Sequence, residues 1–109
     1  MINREINSEK LPDGKTSFHP HARRVGDFIY VSGLIARQLG RTDIPGVELN
    51  AAGEVVSYDI EKQTIAIFEN LKIILEEAGS SLDKVIDITV FLTSIRNDFK
   101  TFNSVYGNI

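Results

Sequence analysis

The feature that most limits how this chain can fold is the run Gly26-Asp27-Phe28-Ile29-Tyr30-Val31-Ser32-Gly33. In an extended strand successive side chains point to opposite faces, so Phe28 and Tyr30 share one face and Ile29 and Val31 the other. Apolar groups on both faces predict a strand buried on two sides, with a layer against each. Gly26-Asp27 predicts a turn that brings a preceding strand, expected over residues 16–25, back as an antiparallel partner; Pro20 interrupts that strand because it cannot donate to a ladder. At the far end Ser32 supplies a hydroxyl, and Gly33 a peptide without Cβ that another chain or a ligand could approach closely.

The layer that covers one face is legible downstream. Residues 57–78 carry Ile60, Thr64, Ile67, Phe68, Leu71, Ile74, Leu75 and Ala78 at helical spacing, with Glu61, Lys62, Glu69, Lys72 and Glu76 on the opposite side. Ser57 is the expected cap and Gly79 the expected terminator. Val85 to Leu92 then alternates as a second strand, Ile86, Ile88, Val90 and Leu92 meeting the helix, while Val85, Asp87, Thr89 and Phe91 offer a half-polar face for a subunit interface or a wet cavity. A second helix is expected from Thr93 to Ile109, capped by Ser94 or Asn97, with Phe99, Phe102, Val105 and Tyr106 inward. Met1 to Lys15 reads as a loosely held entry with a turn at Pro12-Asp13-Gly14. The order strand-strand-loop-helix-strand-helix predicts an α+β layer with two helices packed on one face of a sheet.

A chain of 109 residues, 42% hydrophobic and 25% charged, suits one domain. The net charge of -3 and the scattered basic residues give no nucleic-acid surface. With no cysteine, thiol nucleophiles, thiolate metal sites and disulfides are excluded. No signal pattern and no membrane-length apolar run is present, so a cytoplasmic protein without a membrane partner is expected.

Candidate chemistry is sparse. His19 and His21 flank Pro20, and two imidazoles two apart on a strand could share a metal; with no third ligand nearby, polar residues at a cleft rim are the expected role and no metal is assigned. The irregular stretch 34–55 has the length of a binding loop, and Arg37 and Arg41, just beyond Ser32-Gly33, suit an anionic carboxylate ligand or stand as two solvated cations.

Several segments together say more than any one of them. The 26–33 run, Leu75-Glu76-Glu77-Ala78-Gly79-Ser80-Ser81-Leu82-Asp83-Lys84-Val85, Thr89-Val90-Phe91-Leu92, Asn97-Asp98-Phe99, Asn103 and Val105-Tyr106 occur in an order that resembles the RidA/YjgF family of enamine/imine deaminases. His19-Pro20-His21, Arg23-Arg24-Val25-Gly26-Asp27 and the arginine-bearing loop resemble the 2-aminomuconate deaminase branch in particular. The resemblance implies a single RidA-like domain over 1–109, a chorismate-mutase-like fold with a mixed sheet, and a homotrimer with clefts between subunits. It implies hydrolytic release of ammonia from a small enamine or imine carboxylate, such as 2-aminomuconate or 2-aminoacrylate, without metal or organic cofactor. Carried over by position, Ser32 and Gly33 line the cleft, His19 falls where many members have a tyrosine, and Asn97 matches the motif asparagine, with helix capping as its alternative role. Arg37 is assigned on charge and placement to the distal carboxylate of a dicarboxylate substrate. The family's carboxylate-binding arginine and a strand bearing a glutamate are expected beyond Ile109, so no catalytic residue is assigned within the chain. A binding module of the same fold is the alternative function; a ribonuclease or translation inhibitor is disfavoured by the acidic balance.

Overall fold

The computed structural model describes residues 2–12 and 19–109. The hairpin forms as expected: β2 (Ala22–Val25) pairs antiparallel with β3 (Phe28–Val31), Val25 opposite Phe28. Gly26 makes the turn at a φ of 60°, a left-handed conformation that L side chains resist. The expected strand over residues 16–25 is shorter than its pattern, because Pro20 lies before its first ladder residue. Residues 16–18, and Asp13-Gly14 of the expected turn, fall outside the described residues.

The entry segment is not loose. Asn3–Ile6 forms β1, antiparallel to β2 with Ile6 opposite Ala22, and the Gly26 N–H donates to the Ile2 carbonyl at 2.7 Å. Ile6 and Leu11 are buried, and two isolated apolar residues in a polar run give no periodicity to read. His21 secures the segment. The Ser8 N–H donates to its Nδ1 at 3.0 Å, which leaves the proton on Nε2, 2.9 Å from the Pro12 carbonyl that accepts it. Both ring nitrogens are thereby occupied, so His21 is not half of a metal pair.

Stretch 34–55 is not one loop. Val47–Leu49 (β4) and Val55–Tyr58 (β5) form a separate antiparallel hairpin. Ser57 therefore belongs to a strand, where its hydroxyl donates to Glu48 at 2.6 Å, and Asp59 caps the helix instead, accepting from the Lys62 N–H at 3.1 Å. The Val-Val pair explains the shift, since β-branched residues favour the pleat over the first helical turn.

Helix α1 (Ile60–Glu77) ends as the glycine predicts. Gly79, at φ 79°, donates to the Glu76 carbonyl, and the Ser80 N–H reaches back to Leu75 at 2.7 Å. Its inner face meets the sheet in two adjoining clusters. In one, Ile74 and Ala78 pack on Ile6, Leu11 and Ala22, with Ile29, Val31 and Leu34 at the margin. In the other, Phe68, Leu71 and Leu75 pack on Phe102 of α2 (Ile95–Tyr106). The Phe102 and Tyr106 rings stack at 5.7 Å. Helix α2 starts two residues later and ends three earlier than expected, and Phe99 faces solvent.

Two expectations about strands fail. The β3 strand is covered on one side only: Phe28 and Tyr30 are 54% and 63% exposed. Val85 to Leu92, after a 3-10 turn at Leu82–Lys84, joins no ladder. Val85, Ile88 and Leu92 contact the core, whereas Ile86 is 80% exposed and Phe91 90%. Its inward residues follow a spacing of three and four rather than two, because without a paired neighbour nothing holds the stretch flat on the helices. The architecture is α+β with two helices over the sheet, and every ladder among the described residues is antiparallel rather than mixed.

Candidate functional site

The end of β3 is where the sequence places its first candidate site residues. The Ser32 N–H donates to the His21 carbonyl at 3.0 Å, and Ser32 Oγ donates to the Pro20 carbonyl at 2.7 Å. These two bonds lay His19-Pro20-His21 alongside Ser32-Gly33 and put His19 one residue from the serine contact. Ser32 spends its proton on Pro20 yet stays exposed, so its oxygen lone pairs face outward as acceptors. A Cβ added at Gly33 would meet nothing within 4 Å. The close approach expected at Gly33 is thus not made by any of the described residues, which leave the space above it open.

Arg37 is exposed on the loop that follows. That loop is held from below by Asn70 of α1, whose Nδ2 donates to the carbonyls of Ile35 at 3.1 Å and of Arg37 at 3.0 Å. Gln38 adds a bond to Glu69 at 3.0 Å. The sequence reading passed over Asn70, although a signal exists: it lies four residues from both Ala66 and Ile74, an amide in an otherwise apolar row. Arg41 takes a different part from the one expected. Its guanidinium grips Asp43 through two bonds, at 3.0 and 2.6 Å. The hydrogen bond from Arg41 holds the Asp43 carboxyl below the usual range, while burial opposes it. A cation so engaged is a weak clamp for a separate anion. Asn97 lies on another element, in the first turn of α2, where its amide donates to Ser94 Oγ at 2.8 Å. It neither caps the helix, which Ser94 begins, nor joins the Ser32 group through any bond among the described residues.

Two cavities among the described residues lie elsewhere. One, of about 530 Å³, lies between the 38–48 loop, β5 and α1, walled by Arg41, Asp43, Glu48, Tyr58, Lys62 and Glu69. The second, of about 510 Å³, lies where α1 meets the end of α2. Neither is lined by His19, Ser32, Gly33, Arg37 or Asn97. At the edge of the first, Tyr58 donates to Asp98 at 2.7 Å, which pins β5 to α2 and pushes the phenol above its ordinary pKa, with burial the lesser cause. Among the described residues, Ser32 and Gly33 therefore form an open shelf at the end of the exposed Phe28–Tyr30 strand.

Residues 9–109 match the family model described as Endoribonuclease L-PSP. The chain belongs to the RidA/YjgF family. A RutC family protein of Pyrococcus abyssi is 39% identical over 107 residues, covering 98% of this chain and 74% of that protein. The mitochondrial protein Mmf1 of Saccharomyces cerevisiae is 32% identical over 100 residues, covering 92% of this chain and 60% of its own length. Among solved structures, a Yersinia pestis protein of the conserved Rid family superposes with a TM-score of 0.76 at 26% identity, covering 98% of this chain and 75% of that one. This RidA/YjgF chain thus spans between about three-fifths and three-quarters of the length of these relatives. No helix among the described residues is long and apolar enough to cross a membrane.

Proposed function

We propose that this RidA/YjgF chain hydrolyses a small enamine or imine carboxylate, releasing ammonia, in a cleft completed by a neighbouring copy of itself. The observation that carries the reading is the shelf at the end of β3. Among the described residues Ser32 and Gly33 stand open beside an exposed aromatic face, and neither lines either of the two cavities described above. A second copy seated on Phe28 and Tyr30, in a homotrimer as the family resemblance implies, would roof the shelf and exclude bulk solvent while leaving room for the one water that reacts.

The chemistry asked of the shelf is modest. The imine carbon is already electrophilic. An enamine first takes a proton at carbon and gives one up at nitrogen to become the imine. Water then adds its oxygen to the imine carbon and one proton to nitrogen, and as the hydroxyl proton of the carbinolamine passes to nitrogen the C–N bond breaks, leaving a carbonyl and ammonia. Ser32 and the Gly33 peptide would hold the substrate's polar end by hydrogen bonds, and Arg37 would receive the second carboxylate of a dicarboxylate such as 2-aminomuconate. His19 would border the same space. A 2-aminoacrylate-like monocarboxylate would use the serine end alone. No organic cofactor enters this scheme, and the protein would act in the cytoplasm.

One observation favours a second reading, carboxylate binding without turnover. The groups bonded to Ser32 are main-chain carbonyls, and neither is an acid or a base. The deciding measurement is ammonia release from freshly generated 2-aminoacrylate and 2-aminomuconate. Release above the uncatalysed rate that falls when Ser32 is changed to Ala supports the deaminase. Saturable carboxylate binding with no release supports the binding module, and cleavage of RNA under the same conditions would overturn both.

A further inference from the structure

We infer that Asn70 is a positioning residue that sets the choice between mono- and dicarboxylate ligands, a proposal that rests on the reading of the β3 shelf above. Asn70 is 3% exposed, the most buried amide among the described residues. A carboxamide on the core face of a helix is costly unless its donors and acceptor are met. Here both N–H groups are spent on one target, the carbonyls of Ile35 and Arg37, two residues apart on the same loop. Its Oδ1 faces the Gln38 amide at 3.5 Å. A double clamp onto alternate carbonyls fixes the direction of the peptides between them, and with it the Cα of Arg37. Ala36, between the two clamped residues, is itself buried at 5%.

The consequence is specific. Ser32 and Gly33 are held by the β2–β3 hairpin and need nothing from Asn70. Arg37 sits on a loop anchored at its own carbonyl and that of Ile35 by Asn70. An arginine whose backbone wanders loses more of its affinity to ordering than one held in place. Losing the clamp should therefore weaken recognition of a second, distal carboxylate while sparing the first. Leu, Ala or Ser at position 70 would fill a helix position equally well, so the amide earns its place through the loop.

The test compares Asn70→Ala and the isosteric Asn70→Asp, which keeps the volume but turns acceptor oxygens toward two carbonyls, each alone and combined with Arg37→Ala. With a mono- and a dicarboxylate enamine as substrates, kcat/KM for the dicarboxylate should drop about tenfold or more in both Asn70 variants, with the monocarboxylate within about twofold. In the Arg37→Ala background the Asn70 change should have no further effect on the dicarboxylate. Equal losses on both substrates, or additive losses with Arg37→Ala, overturn the inference. If the unaltered protein releases no ammonia, the deaminase reading fails by itself, and calorimetric binding of maleate against acetate decides the role of Asn70. Selective loss of maleate affinity in Asn70→Ala upholds it; unchanged maleate affinity refutes it.

Discussion

Gly46 closes the arginine-bearing loop onto the start of α1, and its replacement by alanine offers a test of how rigidly that loop is seated. Its φ is 74°, and a Cβ there would stand 2.6 Å from the Asp59 carbonyl oxygen, 2.7 Å from Gln63 Cγ and 2.8 Å from the Gln63 nitrogen. Two of the three neighbours are backbone, so a rotamer change cannot relieve them. Gly40 and Gly53 have nearly the same φ, 78° and 80°, with nothing within 4 Å of an added Cβ. All three alanine variants bear the left-handed penalty of about 1–2 kcal/mol. Gly46→Ala must in addition push the loop off the helix start. That strains the 2.7 Å bond from the Asp59 N–H to the Gly46 carbonyl, about 1 kcal/mol. It also disturbs the Asp59 cap, about 1 kcal/mol more. The expected cost is about 3–4 kcal/mol, against about 1–2 kcal/mol for Gly40→Ala and Gly53→Ala. Urea unfolding followed by far-ultraviolet circular dichroism reads all three on one scale. If Gly46→Ala falls within about 0.5 kcal/mol of Gly40→Ala, the close approach is not rigid and the seating argument fails.

Ile74 is the one large side chain with no exposure among the described residues, so Ile74→Ala should cost about 2–5 kcal/mol by the same unfolding assay; a cost under about 1 kcal/mol would mean that the cluster around it collapses freely. Phe28→Glu combined with Tyr30→Glu should shift the protein to a smaller species in sedimentation equilibrium with little loss of helix signal, and an unchanged mass would remove the Phe28–Tyr30 face from the subunit contact. Tyr58 has a raised folded pKa, so the stability it contributes is fully present below its unfolded value of about 10 and is lost as pH rises through the higher folded value. The stability gap between the unaltered protein and Tyr58→Phe should accordingly hold steady from pH 7 to 9 and narrow towards pH 11; a gap that widens with pH would contradict the donor role of the phenol.

What the sequence disclosed, and what it withheld, divides along the range of the interactions. The 26–27 turn, the α1 stripe and the Gly79 stop are each decided within a few residues, and all three stand where their chemistry puts them. The placement of Ser32 against Pro20-His21 follows from the same hairpin register. Errors arise where a distant partner decides. Ile6 and Leu11 looked like incidental apolar residues in a polar entry, yet Ala22, Ile74 and Ala78 close over them. Ser57 looked like a cap until Glu48, nine residues earlier, drew it into a hairpin. Asn70 is the sharpest case for the site. Nothing within a helical turn of it calls for an amide, and its meaning lies in two carbonyls more than thirty residues away. Val85 to Leu92 shows the reverse: its residues suit a strand, but a strand exists only where a neighbour supplies the ladder. The open shelf at Ser32 and the bare aromatic face beside it have the same character. Each is a surface that no hydrogen bond or packing contact among the described residues explains by itself, and the proposed cleft between copies is the reading that would give both a use.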